Sequence, residues 1–270
     1  MKRITEKLID IRFPGNRLTG IFLTAIIFFC PASINARQVP TNDQNRYFCL
    51  SQKEMTNMQT LTIKNLGLVD HPQAEKTLEE QCDLVPVEQI NWSGFSYRPE
   101  VKLRIAHSGD HILLKFYVRE KNIGAKASAI NGDVYKDSCV EFFISPRDDG
   151  NYYNFEFSCI GVPLVGYGNG RHNRQRLPVE TIRNITIRSS LGTEPFPERH
   201  GDFSWELFVQ IPVSCFIHDH IEKLSGLSSS GNFYKCGDDL AEPHFVTWNP
   251  IKTEKPDYHR PEFFGKIQFE

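Results

Sequence analysis

Two glutamates within one short stretch have the side chains and the spacing to do chemistry. Glu141 and Glu156 lie in DSCVEFFISPRDDGNYYNFEFSC, Asp137 to Cys159, whose apolar runs and polar centre predict two β-strands joined by a turn. Two carboxylates that face each other across such a hairpin could accept hydrogen bonds from sugar hydroxyls, act as the acid and the nucleophile of a glycosidase, or stand on a solvated surface. Their chemistry depends on the register of the two strands.

The apolar residues of the hairpin predict that register. Residues paired across an antiparallel ladder share a face of the sheet, and a shift by one residue exchanges the faces. One register gives a consistent apolar face and a four-residue turn, 147–150; it pairs Val140 with Phe157, Phe142 with Phe155 and Ile144 with Tyr153. The opposite face then pairs Glu141 with Glu156. Like charges directly opposite each other repel, so this pair needs a cation, hydrogen-bond donors or a shared proton.

The rest of the chain is also rich in strand patterns. HILLKFYVRE alternates with a period of two, and VKLRIAH is predicted to pair with it through a turn at 108–110. FSWELFVQIP alternates in the same way, with Trp205 on its apolar side. One helix is predicted, from Ala74 to Cys82. Many short strands with little helix predict an all-β fold, an antiparallel β-sandwich, as one domain over residues 61–270.

The N-terminal residues differ from the rest of the 270-residue chain. Five Lys or Arg residues precede the apolar run Leu18 to Cys30, and small or polar residues follow up to Ala36. This order predicts a secretory signal peptide over residues 1–36, with an uncleaved membrane anchor as the alternative. Residues 37–60 form a polar N-terminal segment. We therefore expect an exported protein, periplasmic, at the cell surface or secreted, that is not transmembrane once the leader is cleaved.

Charge and cysteine usage disfavour several classes of function. Removal of residues 1–36 takes away five basic and two acidic side chains, so the formal charge changes from −2 to −5. A mildly acidic chain without a Lys/Arg stripe disfavours a nucleic-acid partner. Six cysteines follow residue 36, which permits disulfides but does not define their pairing, and the predicted register places Cys139 and Cys159 on opposite faces. Since no C-x-x-C motif occurs, no metal site is predicted.

Four stretches occur in a characteristic order: VYKDSCVEFFIS, YYNFEFSCIG, NFYKCGDDLAEPHFVTWNP and PDYHRPEFFGKIQFE. Together they resemble the family 9 carbohydrate-binding modules, and most closely the family 9-like domains of exported bacterial proteins. The resemblance extends from about Asn91 to Glu270. It implies a DOMON-like β-sandwich that holds a sugar between aromatic side chains, with polar and charged residues at the hydroxyls.

The resemblance also implies site residues. An aromatic six residues before the strand glutamate, the glutamate itself and a tryptophan near the C-terminus correspond to Tyr135, Glu141 and Trp248. Tyr135 stands where the family often has Trp, which reduces the stacking area. Glu156 and Arg119 are supporting candidates from the strand patterns. No cofactor is expected, although the family frequently carries structural calcium, for which oxygen ligands are offered by Asp148, Asp149, Asp238 and Asp239.

The sequence thus predicts carbohydrate binding without catalysis. A flat aromatic ring matches the C–H face of a pyranose, and a carboxylate accepts hydrogen bonds from its hydroxyls. The expected ligand is an oligosaccharide or polysaccharide, and glycoside hydrolases are expected as partner proteins. One alternative is a glycoside hydrolase that uses Glu141 and Glu156, because cross-strand carboxyls fall near the separation of a retaining mechanism. The other is a structural or protein-binding β-sandwich.

Overall fold

The computed structural model describes residues 58–69 and 72–270, which form fourteen strands and two short α-helices. The predicted signal peptide and nearly all of the predicted polar segment lie outside the described residues. The helices are α1, Ala74–Gln81, and α2, Val179–Ile182. The strands are β1 Thr60–Asn65, β2 Val85–Pro86, β3 Gln89–Ile90, β4 Glu100–His107, β5 His111–Ala125, β6 Cys139–Ser145, β7 Tyr152–Ser158, β8 Pro163–Gly168, β9 Arg174–Arg176, β10 Thr186–Ser189, β11 Phe196–Pro212, β12 Ser228–Cys236, β13 Phe245–Thr247 and β14 Gly265–Phe269.

The strands form two sheets that share β1. The front sheet has the order β1-β14-β12-β6-β7-β8-β9, and β13 and β3 extend it beside the end of β12. The back sheet has the order β10-β11-β5-β4-β1, with β2 on β4. The first four residues of β1 pair with β14 and its last two residues pair with β4, both in parallel, whereas the other pairings of the described strands are antiparallel. The predicted antiparallel β-sandwich is confirmed.

Both predicted hairpins are confirmed, and the register predicted for the hairpin of Glu141 and Glu156 is confirmed as well. Strands β6 and β7 pair Val140 with Phe157 and Glu141 with Glu156, as the apolar pattern requires. Strands β4 and β5 also pair as predicted. Helix α1 ends one residue before the predicted end. The five cysteines among the described residues are free, including Cys139, which faces outward from the front sheet.

The hydrophobic core lies between the two sheets. The front sheet contributes Phe142 and Phe155, and the back sheet contributes Phe116 and Trp205, which is 1% exposed as its alternating strand predicts. These side chains follow the period of two in each strand, so one face of each sheet becomes the interior. Burial of this aromatic surface is the main favourable contribution to the stability of the fold.

One charged pair crosses this core. Lys235 of β12 contacts Glu120 of β5, with Nζ 2.8 Å from Oε2, and both side chains are fully buried. Trp205 donates its indole N–H to the other carboxylate oxygen at 2.7 Å, and Lys235 Nζ also lies 2.7 Å from His244 Nε2. Burial next to the lysine lowers the pKa of His244 to about 2, so this imidazole is neutral. The network connects the two sheets through hydrogen-bonded charges.

The outer face of the front sheet is covered by other parts of the chain. Trp92 and Tyr234 pack there with Tyr258 and Phe264, in a second hydrophobic cluster separate from the core. Tyr258 stacks on Tyr234 with ring centroids 4.1 Å apart, and Trp92 donates its indole N–H to the carbonyl of Thr253. The segment before β14 is therefore held against the sheet. Among the described residues, no helix has the length and apolar character needed to cross a membrane.

Candidate functional site

A pocket of about 190 Å³ opens on the covered outer face of the front sheet. It is lined by residues of β6, β7, β9, β12 and β13, by residues just before β6 and β9 and just after β12, and by residues 256–259, which precede β14. The lining residues are Tyr135, Glu141, Glu156, Arg171, Arg174, Arg176, Cys236, Asp238, Phe245, Pro256, Asp257, Tyr258 and His259. The pocket thus combines aromatic rings with charged groups of both signs. Such a combination suits a small polar ligand that also has an apolar face.

The strand register explains why these side chains meet. Glu141 stands opposite Glu156 on one side and opposite Tyr234 on the other. Two residues further along β12, Cys236 stands opposite Phe245 of β13. Because paired residues share a face and alternate residues return to it, all five side chains are directed to the outer face.

The two glutamates form the base of the pocket. Glu141 is 3% exposed and Glu156 is 2% exposed. The Cys236 thiol donates to Oε1 of Glu141 at 3.1 Å, while the Asn154 amide donates to Oε1 of Glu156 at 2.8 Å. Oε2 of Glu156 is buried and has no hydrogen-bond partner among the described residues. Since buried polar atoms are normally satisfied, this oxygen is available to a ligand donor.

Burial and mutual repulsion affect the protonation of the pair. Burial, reinforced by the charge of Glu156, raises the pKa of Glu141 well above its usual value. Burial also raises the pKa of Glu156, and the positive charge of Arg174 opposes this shift. Two carboxylates at one site do not both ionise easily, so the pair retains a proton to higher pH than isolated glutamates do.

Three arginines form one wall of the pocket. They belong to the hairpin between β8 and β9 and its second strand. Arg174 contacts Oε1 of Glu156 at 3.4 Å, and Arg171 pairs with Asp257 at 3.2 Å. Arg176 stands opposite Gly166, and a Cβ at Gly166 would come within 2.7 Å of the Asn154 side chain that supports Glu156. The glycine therefore leaves room for the asparagine beneath the arginine wall.

Aromatic and imidazole groups complete the walls. Tyr135 precedes β6 and Phe245 belongs to β13; β6 and β13 pair with opposite edges of β12. Both rings are half-buried, so each retains accessible surface, and Lys136 Nζ lies over the Tyr135 ring, 5.9 Å from its centroid. Burial and the neighbouring arginines lower the pKa of His259 to about 2. Arg174 donates to Nδ1 of this neutral ring at 3.4 Å, so Nδ1 accepts and the proton resides on Nε2; the Tyr152 hydroxyl lies 2.9 Å from the same nitrogen.

Trp248 lies on the other side of the front sheet. It is 3% exposed, belongs to the core between the sheets and packs edge-on against Phe233, with ring centroids 5.6 Å apart. Gly265 lies so close to the indole that a Cβ there would overlap it. The ring has no free face for a sugar. This position corrects the expectation that Trp248 is the second stacking surface: Phe245, three residues earlier, has the opposite parity and lines the pocket.

Arg119 is also separate from the pocket. It belongs to β5 of the back sheet, on the side of that strand that faces away from the core, and it pairs with Asp202, with Nε 2.9 Å from Oδ1. It lines a different cleft of about 480 Å³ on the back sheet. The side chain therefore cannot neutralise Glu141 or Glu156. Of the five predicted site residues, the structure brings together Tyr135, Glu141 and Glu156.

Sequence reasoning missed the arginine wall and Phe245. The arginines carry a detectable signal, since Arg174 and Arg176 are two residues apart and so share a face of a strand. Strand β9 is only three residues long and lacks apolar alternation, which hides it as a strand. In HFVTWNP, Phe245 and Trp248 are three residues apart, so in a strand they face opposite sides of the sheet. Only the pairing of Phe245 with Cys236 decides which of them faces outward.

One group of three side chains within the described part of the chain could hold a metal ion. The ligand atoms of Cys139, Glu141 and Cys236 lie within 4.8 Å of one another. A metal would need thiolates, and burial raises the pKa of Cys139 to about 12 and that of Cys236 well above its usual value. These thiols therefore act as hydrogen-bond donors beneath Glu141.

The aspartates considered for calcium do not lie together. Asp148 and Asp149 are in the turn after β6, where Asp148 accepts a hydrogen bond from Ser230 at 2.6 Å. Asp238 and Asp239 follow β12 at the opposite end of the β6–β12 ladder. The four carboxylates are split between two ends of the sheet, which is unsuited to a single calcium ion.

Comparison with known proteins points to one family. The sequence model of carbohydrate-binding family 9 matches residues 72–269. The chain is 41% identical to a protein of Bacteroides uniformis that is described as a proposed carbohydrate-binding protein. Its crystal structure superposes on this one with a TM-score of 0.76, and the match covers 79% of this chain and 100% of that chain. A family 9 module of Caldicellulosiruptor kristjanssonii in complex with cellotriose, at 10% identity, shares the fold with a TM-score of 0.50, covering 78% of this chain and 94% of that chain. No curated protein matches the chain.

Proposed function

Because the chain belongs to carbohydrate-binding family 9, we propose that it binds a saccharide in the outer-face pocket of the front sheet and does not cleave it. The observation that carries this proposal is the buried Glu141–Glu156 pair beneath the half-buried rings of Tyr135 and Phe245. The rings offer apolar surface to the C–H face of a pyranose. The carboxylate oxygens accept hydrogen bonds from its hydroxyls.

The unpartnered oxygen of Glu156 supports a ligand with hydroxyl donors. A buried acceptor without a donor is destabilising by about 1–3 kcal/mol, and a bound hydroxyl would remove that penalty. The surrounding groups are held in place by their own hydrogen bonds, since Asn154 and Arg174 both contact the other oxygen of Glu156. A rigid site of this kind binds without a large ordering cost.

The positions of the carboxylates favour binding over hydrolysis. A glycosidase needs an acid and a nucleophile that flank the scissile bond and reach the reacting atoms. Glu141 and Glu156 project from adjacent strands on one face of the sheet and are almost wholly buried. The Cys236 thiol already donates a hydrogen bond to Oε1 of Glu141. Both are therefore assigned as hydrogen-bonding groups at the base of the pocket.

Export fits this function. We assign residues 1–36 to a secretory signal peptide, because basic residues precede a short apolar run and a small-residue end. An exported binding protein would meet oligosaccharides or polysaccharides outside the cytoplasm, where glycoside hydrolases would be its partners.

The test is calorimetric titration of the purified protein against a panel of neutral and charged glycans, with a parallel assay for released reducing ends. We expect binding of at least one glycan and no hydrolysis. Phe245→Ala and Glu156→Gln should each weaken that binding about fivefold or more, since each removes a contact of about 1–3 kcal/mol. Arg119→Ala, on the back sheet, is the matched control and should bind as the wild type does.

The same experiment separates the alternatives. Hydrolysis that is lost in Glu156→Gln would establish the glycosidase instead. A folded protein that binds no glycan on the panel would favour the structural or protein-binding role.

A further inference from the structure

One guanidinium of the arginine wall is without a hydrogen-bond or ion-pair partner in the part of the chain that the structure describes. Arg171 pairs with Asp257, and Arg174 contacts both Glu156 and the imidazole of His259. Arg176 lines the same pocket, but its guanidinium has no hydrogen bond or ion pair among the described residues. Its planar fork of N–H donors is therefore open to a ligand acceptor.

The unsatisfied groups of the pocket define a complementary ligand. Arg176 supplies a donor fork with a full positive charge, and Oε2 of Glu156 supplies a buried acceptor. A ligand that satisfies both carries a hydroxyl donor and an acceptor, and an anionic acceptor pairs most strongly with the guanidinium. The Arg fork matches a carboxylate with two parallel hydrogen bonds, and such charge-assisted bonds are about twice as strong as neutral ones.

The charge of the pocket is compatible with an anion. Asp257 is paired with Arg171, and the two opposed glutamates hold a proton more tightly than isolated ones because both are buried. Burial raises the pKa of Asp238 to about 6, so this carboxylate is largely ionised at pH 7, but it forms no ion pair with Arg176. The guanidinium of Arg176 therefore keeps its N–H donors free for an anion.

We propose that the pocket prefers a saccharide whose ring carries a carboxylate, a uronic acid, with that carboxylate on the Arg176 fork and a ring hydroxyl donating to Glu156. This inference rests on the proposed carbohydrate binding and specifies its ligand class. Tyr135 lines the same pocket and is half-buried, so a sugar ring held by Arg176 and Glu156 can also pack against aromatic surface.

The test compares each acid with its own methyl ester, which keeps the sugar ring and removes the charge. Glucuronic acid and trigalacturonic acid and their methyl esters are titrated into the purified protein by calorimetry at pH 7. We expect at least one acid to bind about tenfold or more tightly than its ester, because the ester loses the charge-assisted pair. We also expect this advantage to shrink at high salt.

Variants assign the preference to one side chain. Arg176→Gln should bring the ratio of acid to ester affinity close to one, and Arg176→Lys should retain part of the ratio. Arg119→Gln, which changes an arginine of the back sheet, should leave it unchanged. A circular dichroism melt verifies that each variant is folded.

The outcomes distinguish this inference from the proposed function. If neutral glycans bind and no acid surpasses its ester, the uronic acid preference is overturned and carbohydrate binding stands. An acid preference that persists in Arg176→Gln overturns the assignment to Arg176. If neither neutral nor acidic glycans bind, both proposals fail.

Discussion

Glu141 and Glu156 stand directly opposite each other on neighbouring strands, and both side chains are almost completely buried on the outer face of the front sheet. Such a pair opposes folding when both carboxylates are ionised, because each lacks water and feels the other's charge. The protein nevertheless places it under a pocket, with donors from Cys236, Asn154 and Arg174 around it. The arrangement is explained if the carboxylates serve a ligand.

Glu141→Gln should change the pH dependence of stability. The pKa of Glu141 in the folded protein is raised well above 4.5, so its stabilising contribution is fully present below its pKa in the unfolded chain and is lost as the pH rises through the folded pKa. Glutamine stays neutral and lacks this loss. We expect the free energy of unfolding of Glu141→Gln, relative to wild type, to improve by about 1 kcal/mol or more between pH 5 and pH 8.

Urea denaturation at the two pH values measures this difference. Glu79→Gln is the control, since Lys115 lowers the pKa of Glu79 and that residue stays ionised in this range. Its difference from wild type should be nearly constant. A constant difference for Glu141→Gln as well would show that Glu141 does not hold its proton in the folded protein.

Substitution of Trp248 should mainly affect stability, whereas substitution of Phe245 should mainly affect glycan binding. Trp248→Ala removes a core side chain and should reduce the free energy of unfolding by about 3–5 kcal/mol. Phe245→Ala removes a half-buried ring and should cause a much smaller loss of stability but weaken glycan binding. Denaturation and calorimetry on both variants provide the comparison. A stable Trp248→Ala protein with impaired binding would contradict the placement of the indole.

Lys235 should be important for stability and not for binding. Lys235→Met leaves Glu120 buried without its cation and should reduce the free energy of unfolding by about 3–5 kcal/mol. The double variant Glu120→Leu, Lys235→Met removes both charges and should recover a large part of that loss. Urea denaturation of the three proteins tests this order. Equal stability of the single variant and the wild type would argue against the buried pair.

The exported protein should begin at Arg37. Cleavage after Ala36 follows from the basic start, the apolar run and the small residues at its end. Intact mass measurement of protein recovered from the periplasm or the medium gives the N-terminal residue. A mass that retains residues 1–36 would indicate an uncleaved anchor.

The hairpin of Glu141 was predictable because residues 153–157 alternate strictly and the apolar residues at 140, 142 and 144 match them in only one register. Tyr135 was reached through the family resemblance, since it lies six residues before Glu141. These features depend on local sequence, where a period of two and a turn determine which side chains meet.

Other parts of the site depend on pairings between distant segments. Whether Phe245 or Trp248 faces the pocket is decided by the contact of β13 with β12 after a loop of eight residues, 237–244. Arg119 was expected near Glu141, but β5 belongs to the other sheet. A solvated outer face was one of the alternatives from the sequence, which does not reveal that the chain around Tyr258 covers this face.

The most direct test of the central claim is a crystal structure of the protein with a glycan that the calorimetric panel identifies. We expect the saccharide in the outer-face pocket, with a ring against Tyr135 or Phe245 and a hydroxyl within hydrogen-bond distance of Glu156. A saccharide bound elsewhere, such as the cleft beside Arg119 on the back sheet, with the outer-face pocket empty, would contradict the account.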